Sequence, residues 1–229
     1  MIRVRSFQFI AILVAFIILA VLVHFHFLSS TDTFIFDAVT GLNADQSLLY
    51  AFVVISSFGE VVNLIFVAII LTIIRRTRKM GMILMITIMT LAILISYMKP
   101  LIAQSNPPQT QRIPELPKGF RLESDSLMTE ARSFSYPSNH TAIITSLAYI
   151  VGTIVQLKSK KYARLLWILP PMLMLSNLLL GLNYLSDLFG GLLIGLVISI
   201  TLSSILKLEV PFAMNKFKST RQKQGSSEL

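Results

Sequence analysis

Residues 132–140 read R-S-F-S-Y-P-S-N-H, and they close a polar loop and open an apolar segment. Pro137 suits the first turn of a helix, where its missing N–H costs no hydrogen bond. The N–H groups of Ser138, Asn139 and His140 would then lie at the positive end of that helix, which favours an anion. A histidine at this position can hold or protonate a phosphate-like group. The same stretch also fits an ordinary membrane helix with one interfacial histidine.

The composition on both sides of this stretch is that of a membrane protein. The chain has 229 residues, of which 54% are hydrophobic and 14% are charged, and its mean hydropathy is +0.73. A soluble domain carries about 25% charged residues. Several apolar runs approach the roughly 20 residues that are needed to span hydrocarbon. The composition therefore indicates a polytopic membrane protein.

Six apolar segments are predicted to cross the membrane as helices. Their approximate bounds are 7–28, 48–74, 80–98, 137–155, 165–182 and 185–206. Pro170 and Pro171 predict a kink near the start of the fifth segment. Residues 29–46 carry a short apolar stripe, which is typical of an amphipathic helix at the interface. The sequence thus predicts an all-α bundle of six transmembrane helices over residues 1–206, followed by a basic tail over 207–229.

The distribution of positive charge predicts the orientation of this bundle. Six spans place 15 of the 20 lysines and arginines on one side of the membrane, in segments 1–5, 75–79, 158–164 and 207–223. By the positive-inside rule, both termini are cytoplasmic. The polar loop 99–140 and the turn between the last two spans then share the outer face of the cell membrane.

Several classes of function do not fit the sequence. The net charge of +9 does not indicate nucleic-acid binding, because the basic residues lie between the apolar runs, as membrane topology requires. The sequence has no Gly-rich nucleotide loop and no cysteine. His24 and His26 are two residues apart and do not share a helix face, so interfacial histidines are the better interpretation. No metal and no cofactor is predicted.

Three polar clusters are predicted to meet at the outer face. The first is K-P-L-I-A-Q-S-N-P (99–107), the second is P-S-N-H (137–140), and the third begins S-N-L-L-L-G-L-N-Y-L-S-D (176–187). The first contributes a lysine, the second hydrogen-bond donors and a histidine, and the third a carboxylate. These groups predict a lipid-facing pocket that holds an anionic or highly polar head group.

Individual side chains in this predicted pocket have distinct candidate roles. Lys99 supplies positive charge, His140 offers a proton, and Asp187 can orient a neighbour. Asn183 lies four residues before Asp187, so the two share a face if helix continues through that turn. Glu60 lies within the second span, where an acid usually faces a cavity or a partner, the alternative being a protonated packing residue.

The three clusters resemble the signature of the type-2 phosphatidic acid phosphatase and haloperoxidase superfamily, which is K-x6-R-P, then P-S-G-H, then S-R-x5-H-x3-D. The resemblance covers about residues 48–206. It implies that the lysine, the arginines and the second motif hold a phosphate, and that the second-motif histidine protonates the leaving group. It also implies that the third-motif histidine attacks phosphorus, oriented by the aspartate. The matching residues are Lys99, Pro107, Pro137, Ser138, His140, Ser176 and Asp187.

Four positions depart from this signature. Asn106 and Asn177 stand where the two arginines belong, Asn139 replaces the glycine, and Asn183 replaces the nucleophilic histidine. An amide nitrogen is not a usable nucleophile at phosphorus, and the loss of one transition-state donor costs about 10²- to 10³-fold. Asparagine keeps donors and acceptors without charge, which predicts a retained head-group site that has lost hydrolysis. The residues predicted to line that site are Lys99, Asn106, Ser138, Asn139, Ser176, Asn177, Asn183 and Glu60.

Three functions remain open from the sequence. The leading prediction is a protein that binds a polar or phosphorylated lipid head group at the outer leaflet, with impaired hydrolysis. An alternative is an active lipid phosphate or pyrophosphate phosphatase that uses His140 or Asp187 in a rearranged site, so the sequence does not decide whether the chain is an enzyme. The third is a non-catalytic scaffold or complex subunit. The predicted partners are membrane lipids, including lipid phosphates and polyprenyl phosphates or pyrophosphates, and a membrane protein or a second copy of the chain.

Overall fold

A computed structural model of the chain describes residue 4 and residues 6–42, 45–108 and 129–208. Within these ranges every regular element is helical and no strand is present, as the sequence predicts. One isolated antiparallel bridge joins Ser105 to Phe134. A short 3₁₀ helix spans Glu130–Ser133. The α-helices are α1 (Phe7–His24), α2 (Ser29–Thr40), α3 (Gln46–Ser57), α4 (Val61–Ile73), α5 (Arg78–Ile102), α6 (Asn139–Gln156), α7 (Lys160–Leu166), α8 (Leu169–Leu179) and α9 (Leu185–Ile205).

Four helical segments are long and apolar enough to cross a membrane: α1, α5, the α7–α8 segment over Lys160–Leu179, and α9. The pair α3–α4, bent by 52°, makes a fifth if it is one span. Large apolar side chains on these helices are exposed, among them Ile17, Phe66 and Ile93. The chain is therefore a multi-pass membrane protein with four or five candidate spans among the described residues, where the sequence predicts six.

The segment that is missing from this set is α6, which lies inside the bundle. Twelve of its 18 residues are buried, including His140, Thr145 and Ser146. A helix that is surrounded by other helices tolerates polar side chains that lipid would not. α6, the most polar of the predicted spans, is thus the one that the other helices surround.

Two helix boundaries differ from the sequence prediction. α6 begins at Asn139 with Ser138 as its N-cap, so Pro137 precedes the helix and does not open its first turn. The predicted second span is interrupted between Ser57 and Val61, where Glu60 becomes the N-cap residue of α4. The interruption falls in the polar stretch that the sequence places within the membrane.

α6 and α9 run side by side in the same direction, and glycines on α9 set their separation. An added Cβ on Gly191 would lie closer than 3.0 Å to the main-chain oxygen of Ser138, and one on Gly195 would meet the main chain of Ala142 in the same way. Helices approach this closely only where side chains are absent. The contact brings the first turns of α6 and α9 together, and those turns carry the second and third polar clusters.

Candidate functional site

His140 lies in the first turn of α6, against the break between α3 and α4. A Cβ on Gly59 would lie 3.0 Å from Cβ of His140 and 3.2 Å from its ring carbon Cδ2. His140 itself is buried, and Glu60, the next residue along the break, is half-buried. The break therefore brings Gly59, the residue before Glu60, into close contact with the histidine.

Asn183 belongs to a chain of five hydrogen-bonded side chains, which we call the amide chain. Ser56 donates through Oγ to Asn177 Oδ1 at 2.6 Å, and Asn177 donates through Nδ2 to Asn183 Oδ1 at 3.4 Å. Ser138 Oγ donates to the same oxygen at 3.3 Å, and Thr141 Oγ1 donates to Ser138 Oγ at 3.2 Å. The amide chain joins α3, α6 and α8 and unites three residues that the sequence assigns to the pocket.

Asp187 lies beside the amide chain in a second polar group. It is fully buried, and its carboxylate accepts hydrogen bonds from Ser135 Oγ at 3.1 Å and from the Tyr184 N–H at 2.8 Å. The side chain of Lys99, in the last turn of α5, is also buried. α9 begins at Leu185, so the helix does not continue back to Asn183. The carboxylate of Asp187 therefore caps its own helix.

Asp32 is the member of this second group that the sequence analysis missed. It is buried on α2, and its Oδ1 accepts the Ser186 N–H at 3.1 Å. Its Oδ2 accepts Ser186 Oγ at 2.5 Å and Gln104 Nε2 at 3.5 Å. We call this second polar group, which contains Asp187 and Asp32, the carboxyl group cluster. It connects α2, the loop after α5 and the start of α9. In the sequence Asp32 lies 154 residues from Ser186, so no local pattern links them.

Two tyrosines border the carboxyl group cluster. Tyr136 is fully buried against Gly190, where an added Cβ would lie 2.8 Å from the phenol oxygen. Burial, together with the negative charge of Asp187, raises the pKa of Tyr136 well above its ordinary value. Burial and three carboxylates, those of Asp187, Asp32 and Asp37, raise the pKa of Tyr184. Both phenols therefore stay neutral at neutral pH, and the Tyr136 hydroxyl has no hydrogen-bond partner among the described residues.

At the starts of α6 and α9, oxygen atoms of the protein accept hydrogen bonds from main-chain N–H groups. The Ser138 N–H donates to the main-chain oxygen of Asp187 at 3.0 Å, and the Thr141 N–H lies 3.5 Å from Ser138 Oγ. At α9 the N–H groups of Tyr184 and Ser186 donate to carboxylates. The prediction that the Ser138 N–H is available to an anion is therefore wrong, because α9 supplies an oxygen for it.

The remaining predicted lining residues take different positions. Asn106 is exposed and donates through Nδ2 to the main-chain oxygen of Arg132 at 2.7 Å. Ser176 Oγ donates to the main-chain oxygen of Phe52 at 2.5 Å, which ties α8 to α3. Asn139 is 5% exposed, and its Oδ1 has no hydrogen-bond partner among the residues that the structure describes. Asn106 and Ser176 thus donate hydrogen bonds to main-chain oxygens, whereas Asn139 has an acceptor without a partner among the described residues.

Possible metal ligands do not gather in the described parts of the chain. No group of three or more histidine, cysteine, aspartate or glutamate side chains there is placed to hold a metal ion.

Comparison with known proteins adds a family and a fold. A family model described as the PAP2 superfamily matches residues 82–210. The fold is similar to the crystal structure of the first transmembrane PAP2 type phosphatidylglycerolphosphate phosphatase from Bacillus subtilis, with a TM-score of 0.71 and 20% sequence identity. That similarity covers 90% of this chain and all of the other. A search of curated proteins gave no match.

Proposed function

The chain belongs to the PAP2 superfamily, and from this membership we propose that it is a lipid-phosphatase-like membrane protein that binds a lipid head group and has impaired hydrolysis. The observation that carries this proposal is the placement of Asn183. By its resemblance to the third motif it takes the nucleophile position, and its Oδ1 accepts hydrogen bonds from Ser138 and Asn177. An amide held in this way has no electron pair that is reactive toward phosphorus.

Neither candidate for a replacement nucleophile is well suited to the reaction. Asp187 is fully buried and accepts hydrogen bonds from Ser135 and from the main chain of Tyr184. A carboxylate that is committed to those donors is poorly placed to attack a substrate. His140 retains the position of the family's proton donor, and a single imidazole cannot be both the nucleophile and the acid for one bond cleavage. These contacts favour binding over hydrolysis.

The proposed membrane arrangement follows from the charge distribution. With α6 counted as a span, the domain over residues 1–206 crosses the membrane six times, and a basic tail over 207–229 follows it. Both termini are cytoplasmic, and the starts of α6 and α9 face outward. Contact between these two helix starts supports a shared side for the second and third clusters. The ligand then comes from the outer leaflet, where lipid phosphates and polyprenyl phosphates or pyrophosphates are candidates.

Phosphate release tests this proposal directly. The purified protein and its His140→Ala variant would be assayed on phosphatidic acid, phosphatidylglycerol phosphate and a polyprenyl pyrophosphate. The Bacillus subtilis phosphatase would serve as the positive control. We expect the two versions of this protein to release phosphate at the same background rate, because the nucleophile is absent in both. Turnover by the wild type that His140→Ala abolishes would show that the family reaction survives and that the proposal is wrong.

A further inference from the structure

We infer that a surface on α7 binds an anionic phospholipid, at a place distinct from the candidate head-group site. α7 follows the end of α6, whereas the candidate site lies at the starts of α6 and α9. The inference therefore does not depend on the proposed function. The surface, which we call the α7 surface, consists of six exposed side chains: Lys160, Lys161, Tyr162, Arg164, Leu165 and Trp167.

Positive charge gathers at this end of the bundle. α6 and α9 run in the same direction, so their ends lie together, and Nζ of Lys79 donates to the main-chain oxygen of Lys207 at 2.7 Å, which brings the start of α5 there too. Segments 75–79 and 158–164, together with Lys207, contain nine of the 11 lysines and arginines in the described part of the chain and none of its acids. Such an end attracts an anionic head group.

The α7 surface adds exposed apolar and aromatic area to this charge. Tyr162 is 63% exposed, Leu165 59% and Trp167 40%. α7 packs on α6 through its other face, where Ala163 is buried and an added Cβ on Gly152 would lie 3.8 Å from Trp167 Nε1. Aromatic rings and long basic side chains prefer the level of the lipid head groups. The outward side of α7 therefore presents both kinds of group at once.

A phospholipid satisfies both kinds of group, whereas a soluble polyanion does not. Its phosphate can lie against Lys160, Lys161 and Arg164, and its acyl chains can cover the apolar side chains, which a polyanion would leave in water. Lys160–Leu179 is a candidate span, so the α7 surface lies where that span enters the membrane. The net negative charge of the lipid is the feature that these three cations recognise.

Trp167 allows this binding to be measured at the α7 surface itself, because it is the one tryptophan of the chain. Brominated lipids quench tryptophan fluorescence on close approach, so a lipid bound at the other end of the bundle does not contribute. The full chain would be reconstituted in mixtures of phosphatidylcholine and phosphatidylglycerol, with first one lipid and then the other brominated. The quenching at each mixing ratio gives the relative affinity of the two lipids at Trp167.

We expect phosphatidylglycerol to bind about tenfold tighter than phosphatidylcholine, a preference equal to one or two charge contacts with the lipid. Raising sodium chloride from about 50 mM to about 500 mM should reduce this preference, because the cations are exposed and are screened by salt. Equal affinity for the two lipids would overturn the inference.

Variants of the α7 surface test which side chains select the lipid. Replacing its three basic residues together, as Lys160→Gln, Lys161→Gln and Arg164→Gln, should abolish the preference. Arg164→Lys keeps the charge and should keep the preference. Arg132→Gln is the matched control, because Arg132 is an exposed arginine that precedes the start of α6, at the other end of the bundle, and it should also keep the preference.

Two results would overturn the assignment to the α7 surface. A preference that survives the triple replacement would show that other residues select the lipid. A preference lost equally in Arg164→Lys and in the triple variant would show that the charge of this side chain is not the cause.

Discussion

Gly191→Ala is expected to damage both the packing of α6 against α9 and the site. The added Cβ would lie closer than 3.0 Å to the main-chain oxygen of Ser138, 3.0 Å from Thr141 Cβ and 3.3 Å from Ala142 N. Main-chain atoms cannot rotate away as a side chain can, so the two helices must separate. The hydrogen bond from Ser138 to Asn183 is already 3.3 Å long, and a separation of a few tenths of an ångström takes it beyond hydrogen-bond distance.

The loss of stability expected for Gly191→Ala follows from a comparison with Gly152→Ala on α6. An added Cβ on Gly152 would meet its nearest atoms at 3.8 Å and 3.9 Å, which is ordinary contact. Both variants gain about 1 kcal/mol in helix propensity, so their difference reports the overpacking, which costs about 1–3 kcal/mol. For a chain of this size that is a difference of about 2–12 °C in the unfolding midpoint.

Thermal unfolding of the two purified variants in the same detergent measures this difference. We expect Gly152→Ala to unfold at or slightly above the wild-type midpoint, and Gly191→Ala to unfold below Gly152→Ala. A Gly191→Ala protein as stable as Gly152→Ala would refute the close contact between α6 and α9, and with it the placement of the second cluster against the third.

Two further predictions concern the carboxyl group cluster and the topology. Asp32→Asn should lower the free energy of unfolding by about 1.5–3 kcal/mol, because an amide offers one acceptor oxygen in place of two, so one of the two charge-assisted hydrogen bonds from Ser186 is lost. Asp37→Asn, exposed on the same helix, should change it by less than about 0.5 kcal/mol. Equal midpoints in thermal unfolding would contradict the role of Asp32. Since the chain has no cysteine, Ser133→Cys should react with a membrane-impermeant maleimide in intact cells, and Lys160→Cys only after permeabilisation. The reverse labelling pattern would overturn the orientation.

Local sequence patterns were sufficient for the helical class, the membrane setting and the family. The predicted span 80–98 lies within α5, and the segment 185–206 nearly coincides with α9, because a continuous apolar run is itself the requirement for a span. α7 ends at Leu166 and α8 begins at Leu169, with Pro170 and Pro171 in its first turn, which is the region where the sequence predicts a kink. The family signature could also be identified from the sequence, because the spacing of its residues is a property of the chain alone.

Other predictions failed or were incomplete where the answer depended on a distant part of the chain. The break between α3 and α4 was predicted as continuous helix, and it is placed where Gly59 meets His140. The Ser138 N–H was assigned to an anion, and a main-chain oxygen of Asp187 takes it. The oxygen that accepts from the Ser138 N–H belongs to another helix, so no local pattern around Ser138 identifies it.

The sequence by itself determined which residues are apolar enough to lie in a membrane, which polar clusters interrupt them, and which family signature those clusters resemble. Only the tertiary structure decided which of those polar groups satisfy one another. Asp32 has its partner 154 residues away, and Ser56 bonds Asn177 across 121 residues. Hydrogen bonds of that kind follow from the packing of helices, which brings distant residues within 3 Å and cannot be read from spacing along the chain.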